Sequence, residues 1–415
     1  MSYSVDTQKH IDTIKEKIGY KEFVIVIAAL MAINSIAIDI MLPAMPDILA
    51  NFHITDENTQ HYIISSYLIS YGISQIFFGP ISDRYGRRKL VLIGLALYSF
   101  TAIASAFISS FSVLLILRIL QGIGGAAIRV LTISIVRDLY SGRKMAEVMS
   151  IVVMVFLIAA MLGPATGQMI LLLGNWQLIF IFMALVGFGL MIWIQFRLPE
   201  TLHTPRSLSF SSVKYSFSFV MTNRTILCYT LAASILLSFI FITINTSQQI
   251  YEGIYNLGFW FPVFFAIGAA FQAIASFLNS RFVGRLGMRR IAHSMLFFFF
   301  AASCTMFVSS ILTDGIIPFP LYMSLYCILM FTCGGMMPNF NALALESAGE
   351  IAGTASSVSG FLQTSVGTGL SFIIAQQFNE TVTPNSVGFF LLSIAAIFLV
   401  LWAERGRLFQ QYNIQ

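Results

Sequence analysis

A chain of 415 residues that is 57% hydrophobic and only 10% charged has too little polar surface to be a soluble domain of that size. Its mean hydropathy of +0.83 points to a polytopic membrane protein. The net charge of +5 would suit a nucleic-acid partner, but the placement of the charges argues against that, and four cysteines without CxxC spacing imply neither a disulfide framework nor a metal site.

The first twenty-odd residues are polar and mixed in charge, unlike a cleaved signal peptide. Twelve apolar segments follow, at roughly 23–42, 60–80, 90–109, 113–135, 147–172, 177–196, 225–246, 259–279, 291–312, 319–342, 352–377 and 387–403. About 20 residues of helix cross a bilayer core, so each can span. The longest polar interruption, 197–224, contains Ser, Thr and Pro and divides the spans six and six. The expected organisation is an N-terminal segment 1–22, a first half 23–196, a linker 197–224, a second half 225–403 and a tail 404–415.

With both ends in the cytoplasm, the segments on that side carry Lys9, Lys15, Lys17 and Lys21, then Arg84, Arg87, Arg88 and Lys89, then Arg137, Arg143 and Lys144. They also carry Arg197, Arg206, Lys214 and Arg224, then Arg281, Arg285, Arg289 and Arg290, and finally Arg405 and Arg407. That is 21 of the 23 Lys and Arg, the other two being Arg118 and Arg129 in the fourth span. The opposite loops hold Asp47, Asp56, Glu57, Glu252, Asp314 and Glu380. This is the positive-inside pattern, and it explains the net charge without a nucleic acid.

In the first span, "SIAIDIMLPAMPDI" (35–48) places Asp39 inside an apolar run with no Lys, Arg or His close in sequence. A carboxylate at membrane depth costs about 3 kcal/mol on insertion scales, so it marks a site. After the second span comes "GPISDRYGRRK" (79–89). Here Gly79 and Gly86 are expected to let the turn pack closely against neighbouring helix ends. Asp83 is expected to accept hydrogen bonds from a helix N-terminus or to pair with an arginine. The plainer reading is a basic loop that only sets topology.

Arg118 in the fourth span stays charged in any environment and needs a partner, and Asp39 is the only acid placed at mid-membrane depth. Coupling between the first and fourth spans is therefore expected, with a purely structural ion pair as the alternative. Arg129 lies 11 residues later on nearly the same face, about 16 Å nearer the cytoplasm. It either snorkels towards headgroups or caps carbonyls, or it faces a cavity and favours a neutral or anionic substrate. "GIGGAA" (122–127) formally matches a dinucleotide fingerprint, but no strand precedes it, so helix packing explains it better.

In the fifth span, Gly163, Pro164 and Gly167 of "LGPATGQMI" (162–170) give a kinked helix with a small face for close approach. After the eighth, "SRFVGRLGMRR" (280–290) echoes 79–89: aligning Gly86 with Gly287 pairs Arg84 with Arg285 and Arg88 with Arg289. Gly284 stands where Asp83 would fall, so a latch there must be weaker or different. Two duplicated six-helix halves are the layout of a secondary transporter. Polar residues inside spans offer pocket candidates, with Asn34, Tyr71, Gln121 and Asn339 first and Asn245 and Gln363 behind them, although many such groups only join helices. No histidine is placed in a span core, so a histidine relay is not expected.

These motifs together resemble the major facilitator superfamily. "GPISDRYGRRKLVL" is similar to its loop motif, "RILQGIGGAA" (118–127) to the fourth-helix motif of its proton-coupled members, and "LGPATGQMI" to the fifth-helix motif of its antiporters. "AIDIMLPAMPDI" with "IVRDLY" (135–140) resembles the bicyclomycin and chloramphenicol-type drug:proton antiporters. The resemblance implies the major facilitator fold: an all-α membrane protein of 12 transmembrane helices in two six-helix halves, with both termini cytoplasmic, in a bacterial cytoplasmic (inner) membrane. It implies export of small molecules against protons by alternating access, with Asp39 as proton carrier beside Arg118, and a gating loop of Gly79, Asp83, Arg84, Gly86, Arg87 and Arg88.

Desolvation makes a carboxylate hold its proton and a nearby arginine loosens it, and a balance near neutrality makes a usable carrier. One titrating site returns about one proton, so export of a neutral drug would move net charge and export of a monocation would not. Related exporters often carry a second acid in the first helix. Here "MAINSIAI" before Asp39 has Asn34 but no acid, and two arginines against one aspartate leave a net positive cavity. The expected substrate is accordingly neutral or anionic, such as a phenicol.

The alternative is proton-driven export or uptake of a metabolite such as a carboxylate siderophore. An intramembrane enzyme is the rival class and lacks HExxH and GxSxG, a channel fits duplicated halves poorly, and no Walker A pattern suggests ATP. The expected partners are a small-molecule substrate, protons and membrane lipid, with no cofactor beyond the proton as coupling ion and no nucleic acid, and the protein is expected to be a monomer.

Overall fold

The structure, a computed structural model, describes residues 13–14, 16–140, 142–202, 210–346 and 352–409. The remainder of the expected N-terminal segment, linker and tail, with Lys9, Lys15 and Arg206, lies outside the described residues.

Every regular element among the described residues is helical. The first group comprises α1 (Tyr20–Asp39), α2 (Met45–Asn51), α3 (Gln60–Tyr85), α4 (Arg87–Ser105), α5 (Phe111–Leu139), α6 (Gly142–Leu171) and α7 (Gln177–Arg197). Then come α8 (Phe210–Thr222), α9 (Arg224–Gln248), α10 (Phe261–Leu286), α11 (Met288–Leu312), α12 (Phe319–Leu345), α13 (Ala352–Ala375) and α14 (Thr383–Ala403).

Eleven helical stretches among the described residues are long and apolar enough to cross a membrane. The expected second span is also a helix: α3 has 26 residues, about 39 Å. It differs from the rest in polarity, because Gln60, His61, Ser65, Ser66, Ser70 and Gln75 interrupt its apolar run.

The first span is broken rather than continuous. The carbonyl of Asp39 would accept the amide four residues on, but that residue is Pro43, which has no N–H and whose ring crowds that carbonyl. The α-helix accordingly stops at Asp39, a 3-10 turn over Leu42–Ala44 follows, and α2 resumes the path to Asn51. Asp39 thus stands at a helix terminus inside a 32-residue apolar stretch.

The chain divides into two compact units, one of residues 1–54 and 66–213 and one of 55–65 and 214–415. Within the first, α4 packs on α5 and α7, and α1 packs on α6. Within the second, α11 packs on α12 and α14, and α9 packs on α13. These three pairings in the first unit have their counterparts in the second, in the same order along the chain, as duplication requires. The turns α3–α4 and α10–α11 match as well: Gly86 has φ +96° and Gly287 has φ +82°, a left-handed region that favours glycine.

Candidate proton-coupling site

Asp39 is 3% exposed. Its Oδ2 accepts a hydrogen bond from Ser35 Oγ at 3.2 Å, one turn back on α1, while Oδ1 is buried and accepts none. The alternative of a structural ion pair with Arg118 is not found, because Asp39 forms no ion pair with a described residue. The first and fourth spans nevertheless meet through that arginine. Arg118, fully buried on α5, donates from Nη2 to the Ala37 carbonyl at 3.0 Å and from Nη1 to Gln121 Oε1 at 2.7 Å, with its guanidinium 4.5 Å from the centre of the Tyr67 ring. Ala37 belongs to the last turn of α1, where carbonyls lack full intrahelical partners and the helix dipole is negative, so a cation is favoured there. The ring face adds a cation–π contact.

The other face of Asp39 is closed by α6. A Cβ on Gly163 would lie 2.6 Å from Asp39 Cβ, and one on Gly167 would strike the Ile40 carbonyl oxygen and lie 3.1 Å from Pro43 Cγ. The small face expected in the fifth span is therefore the surface on which the break in α1 rests, with Pro164 between its two glycines.

Around this centre several expected residues come together. Asn34 Oδ1 accepts from Tyr67 Oη at 3.3 Å, and Gly125 on α5 leaves room for that pair, since a Cβ there would lie 2.7 Å from Asn34 Oδ1. Tyr67 stacks on Tyr71 with centroids 5.8 Å apart, and Tyr71 Oη accepts from Arg129 Nη1 at 3.1 Å. Arg129 is half-buried, and the group it bonds is this tyrosine hydroxyl. Gln121 keeps a buried Nε2 that makes no hydrogen bond.

The candidates in the second unit are engaged between helices. Asn339 on α12 donates to Asn279 Oδ1 on α10 at 2.7 Å, Gln363 on α13 to Asn341 Oδ1 on α12 at 2.8 Å, and Asn245 on α9 to Ser371 Oγ on α13 at 3.1 Å. Pairs of this kind join helices where no water competes. Two histidines, His61 and His293, are also fully buried, each near a helix start rather than in the middle of a span. His293 accepts the Phe409 amide at Nδ1, and neither ring nitrogen of His61, the second residue of α3, makes a hydrogen bond.

In the loop after α3, Arg87 gathers the acids. It pairs with Asp83 at 2.5 Å and with Asp138 near the end of α5 at 3.1 Å, and it bonds Ser82 Oγ. Asp83 thus takes the arginine, and the helix start is held by a residue the sequence reading missed: Glu200 accepts the amides of Arg87 at 2.8 Å and Arg88 at 3.1 Å. A Cβ at Gly86 would lie 2.6 Å from Glu200 Oε2, so glycine is needed there, whereas one at Gly79 would meet nothing within 4 Å. The expectation of close packing holds for Gly86 and is corrected for Gly79, which sits in open space near Pro80. Arg84 is exposed beside Tyr85, and Arg88 bonds the Gln195 carbonyl. The second copy is built differently. Arg289 pairs with Glu346 just past α12 and with Glu404 just past α14, both at 2.8 Å, and Glu404 also accepts from Tyr229 at 2.6 Å.

The duplicated helical units match a family of membrane transporters, not of enzymes. The chain belongs to the Major Facilitator Superfamily, whose family model matches residues 27–372. It is 28% identical over 370 residues to a bicyclomycin resistance protein homolog of Haemophilus influenzae, covering 87% of this chain and 91% of that protein. It is 27% identical over 393 residues to the multidrug resistance protein MdtL of Escherichia coli O157:H7, covering 93% and 96%. In fold it is similar to a peptide transporter solved with sulfate, at TM-score 0.78 and 14% identity over 97% of this chain and 99% of the other. It is also similar in fold to the xylose transporter XylE of E. coli, at TM-score 0.67 and 14% identity over 92% and 97%. It is a multi-pass membrane protein with bacterial relatives.

Proposed function

We propose that this chain is a proton-coupled exporter of drug-like small molecules that works by alternating access, with Asp39 as the proton carrier. The observation that carries the reading is the Asp39 carboxyl, buried at a helix break with one oxygen free of any hydrogen bond. Such an oxygen takes up a proton without giving up a bond, and because the ionised form is costly in so dry a place, the proton is held until arriving substrate or water offsets that cost. Arg118 holds the end of α1 in position through the Ala37 carbonyl. Arg118 and Arg129 against one acid favour a neutral or anionic substrate, with Asn34, Tyr71 and Gln121 on the path to it. The resistance and multidrug names of the relatives support export.

The architecture we assign is twelve spans, with α3 as the polar second one, halves at 23–196 and 225–403 joined by 197–224, and both termini cytoplasmic. Arg87 with Asp83 and Asp138, and Arg289 with Glu346 and Glu404, latch the cytoplasmic ends. The protein acts as a monomer in lipid, with the proton as coupling ion and no cofactor.

The test is proton flux in proteoliposomes loaded with a pH dye, with chloramphenicol-like, cationic and polycarboxylate compounds added to wild type and Asp39→Asn. Substrate-driven proton movement that vanishes in the variant is expected. Movement that survives the substitution would reduce Asp39 to a packing residue and refute the proposal.

A further inference from the structure

Within the first unit, α4 and α7 run side by side and leave a cavity of about 500 Å³ between them. One wall is the face of α4 that carries Arg88, Lys89, Leu92, Ile93 and Ala96, and Met191 closes it from α7. A second hollow of about 200 Å³ shares Leu92 and Met191 and continues to Phe196. The slot is apolar along its length and opens to the surroundings: Ile93 is 51% exposed and Phe196 is 74% exposed. In a membrane, such a slot faces acyl chains.

Its head end is charged in an unbalanced way. Glu200 also lines the cavity, but its carboxylate already accepts four amides: Arg87 at 2.8 Å, Arg88 at 3.1 Å, and Thr201 and Leu202 at 3.0 Å each. Lys89 is exposed and forms no ion pair with a described residue. Arg88 reaches the Gln195 carbonyl through Nη2, while its Nε is buried and makes no hydrogen bond. Two cations therefore stand at the mouth of an apolar slot beside an acid whose charge is already met by backbone donors.

We propose that this groove is a binding site for an anionic phospholipid. Its phosphate rests on Lys89 and Arg88, and one acyl chain lies along Leu92, Ile93, Ala96 and Met191. A soluble anion would use only the head end and a lipid without a phosphate only the slot, while a zwitterionic headgroup would bring its ammonium against the same two cations. The combination of a cation pair with an apolar channel along the helix axis selects a molecule that has both. The site is separate from Asp39 and does not depend on the direction of transport.

Native mass spectrometry of the full chain in detergent tests this, with phosphatidylglycerol and phosphatidylethanolamine of matched acyl chains supplied in equal amounts. Wild type is expected to retain phosphatidylglycerol preferentially. Lys89→Gln should lower that retention about fivefold, the effect of one membrane-surface cation. Ala96→Phe, which fills the slot, should lower retention of both lipids. Equal retention of the two lipids by wild type would overturn the proposal, as would phosphatidylglycerol retention unchanged in Lys89→Gln. Because Lys89 is exposed, that variant decides the matter even if Ala96→Phe proves unstable.

Discussion

Substituting Gly163 by alanine puts a methyl group 2.6 Å from Asp39 Cβ and 3.3 Å from its carbonyl carbon. Non-bonded carbons rest at about 3.5–4.0 Å, so α6 and the end of α1 must part by about 1 Å. Overpacking of this kind costs about 1–3 kcal/mol, and alanine regains about 1 kcal/mol of helix propensity over glycine, which leaves a net loss of about 1 kcal/mol. Gly189 on α7 is the internal control, since a Cβ there meets nothing within 4 Å. Gly189→Ala should be neutral or stabilising by up to about 1 kcal/mol, so the two variants separate by about 2 kcal/mol. Gly167→Ala should be worse than either, because its methyl meets the Ile40 backbone oxygen, which cannot rotate away. Thermal unfolding of the full chain in detergent gives the ranking, and substrate-driven proton flux in vesicles should fall with Gly163→Ala and not with Gly189→Ala. The reasoning fails if Gly163→Ala melts at or above Gly189→Ala with flux intact, for then α6 does not rest on Asp39.

Glu404→Gln removes the acid shared by Tyr229 and Arg289 at a site where the Glu404 side chain is 5% exposed, and should cost about 3 kcal/mol in unfolding measurements; a change under about 0.5 kcal/mol would mean the pair is not formed. His61→Leu replaces a fully buried ring that makes no hydrogen bond, and should leave the melting temperature unchanged or raise stability by about 1 kcal/mol. A large loss there would show that the ring has a bonded partner. Tyr71→Phe removes the acceptor for Arg129, so a double-mutant cycle with Arg129→Gln should return a coupling of about 1 kcal/mol, and zero coupling would separate the two side chains.

Much of this was legible because the membrane narrows what a sequence can do. Apolar runs of helix length have few other uses, and the glycine echo at Gly86 and Gly287 marked two turns that share a left-handed φ. Asp39 stood out because a carboxylate in an apolar run is rare. Its surroundings were hidden for physical reasons. Arg118 answers to the Ala37 carbonyl, a group every residue carries, so no side chain announced it. Gly163 and Gly167 look the same whether they face lipid or Asp39, and only the crossing of α1 and α6 decides. Pro43, four residues after Asp39, was a readable sign of the break. His61 was masked by the polar start of α3, where a buried ring and a solvated one have the same neighbours in sequence.

Glu200 has a mechanical consequence. Its carboxylate grips the first two amides of α4 and, two residues further on, the amide of Leu202, so the chain leaving α7 is pinned to the turn at Gly86 before it can run on. The chain leaving α7 is therefore held in place as far as Leu202, beyond the end of the helix at Arg197. A strain entering at Leu202 reaches the start of α4, more than a hundred residues earlier in the chain, as directly as it reaches α7. One extra residue between Arg197 and Glu200 would let go of that grip and loosen Gly86 and Arg87 without altering either.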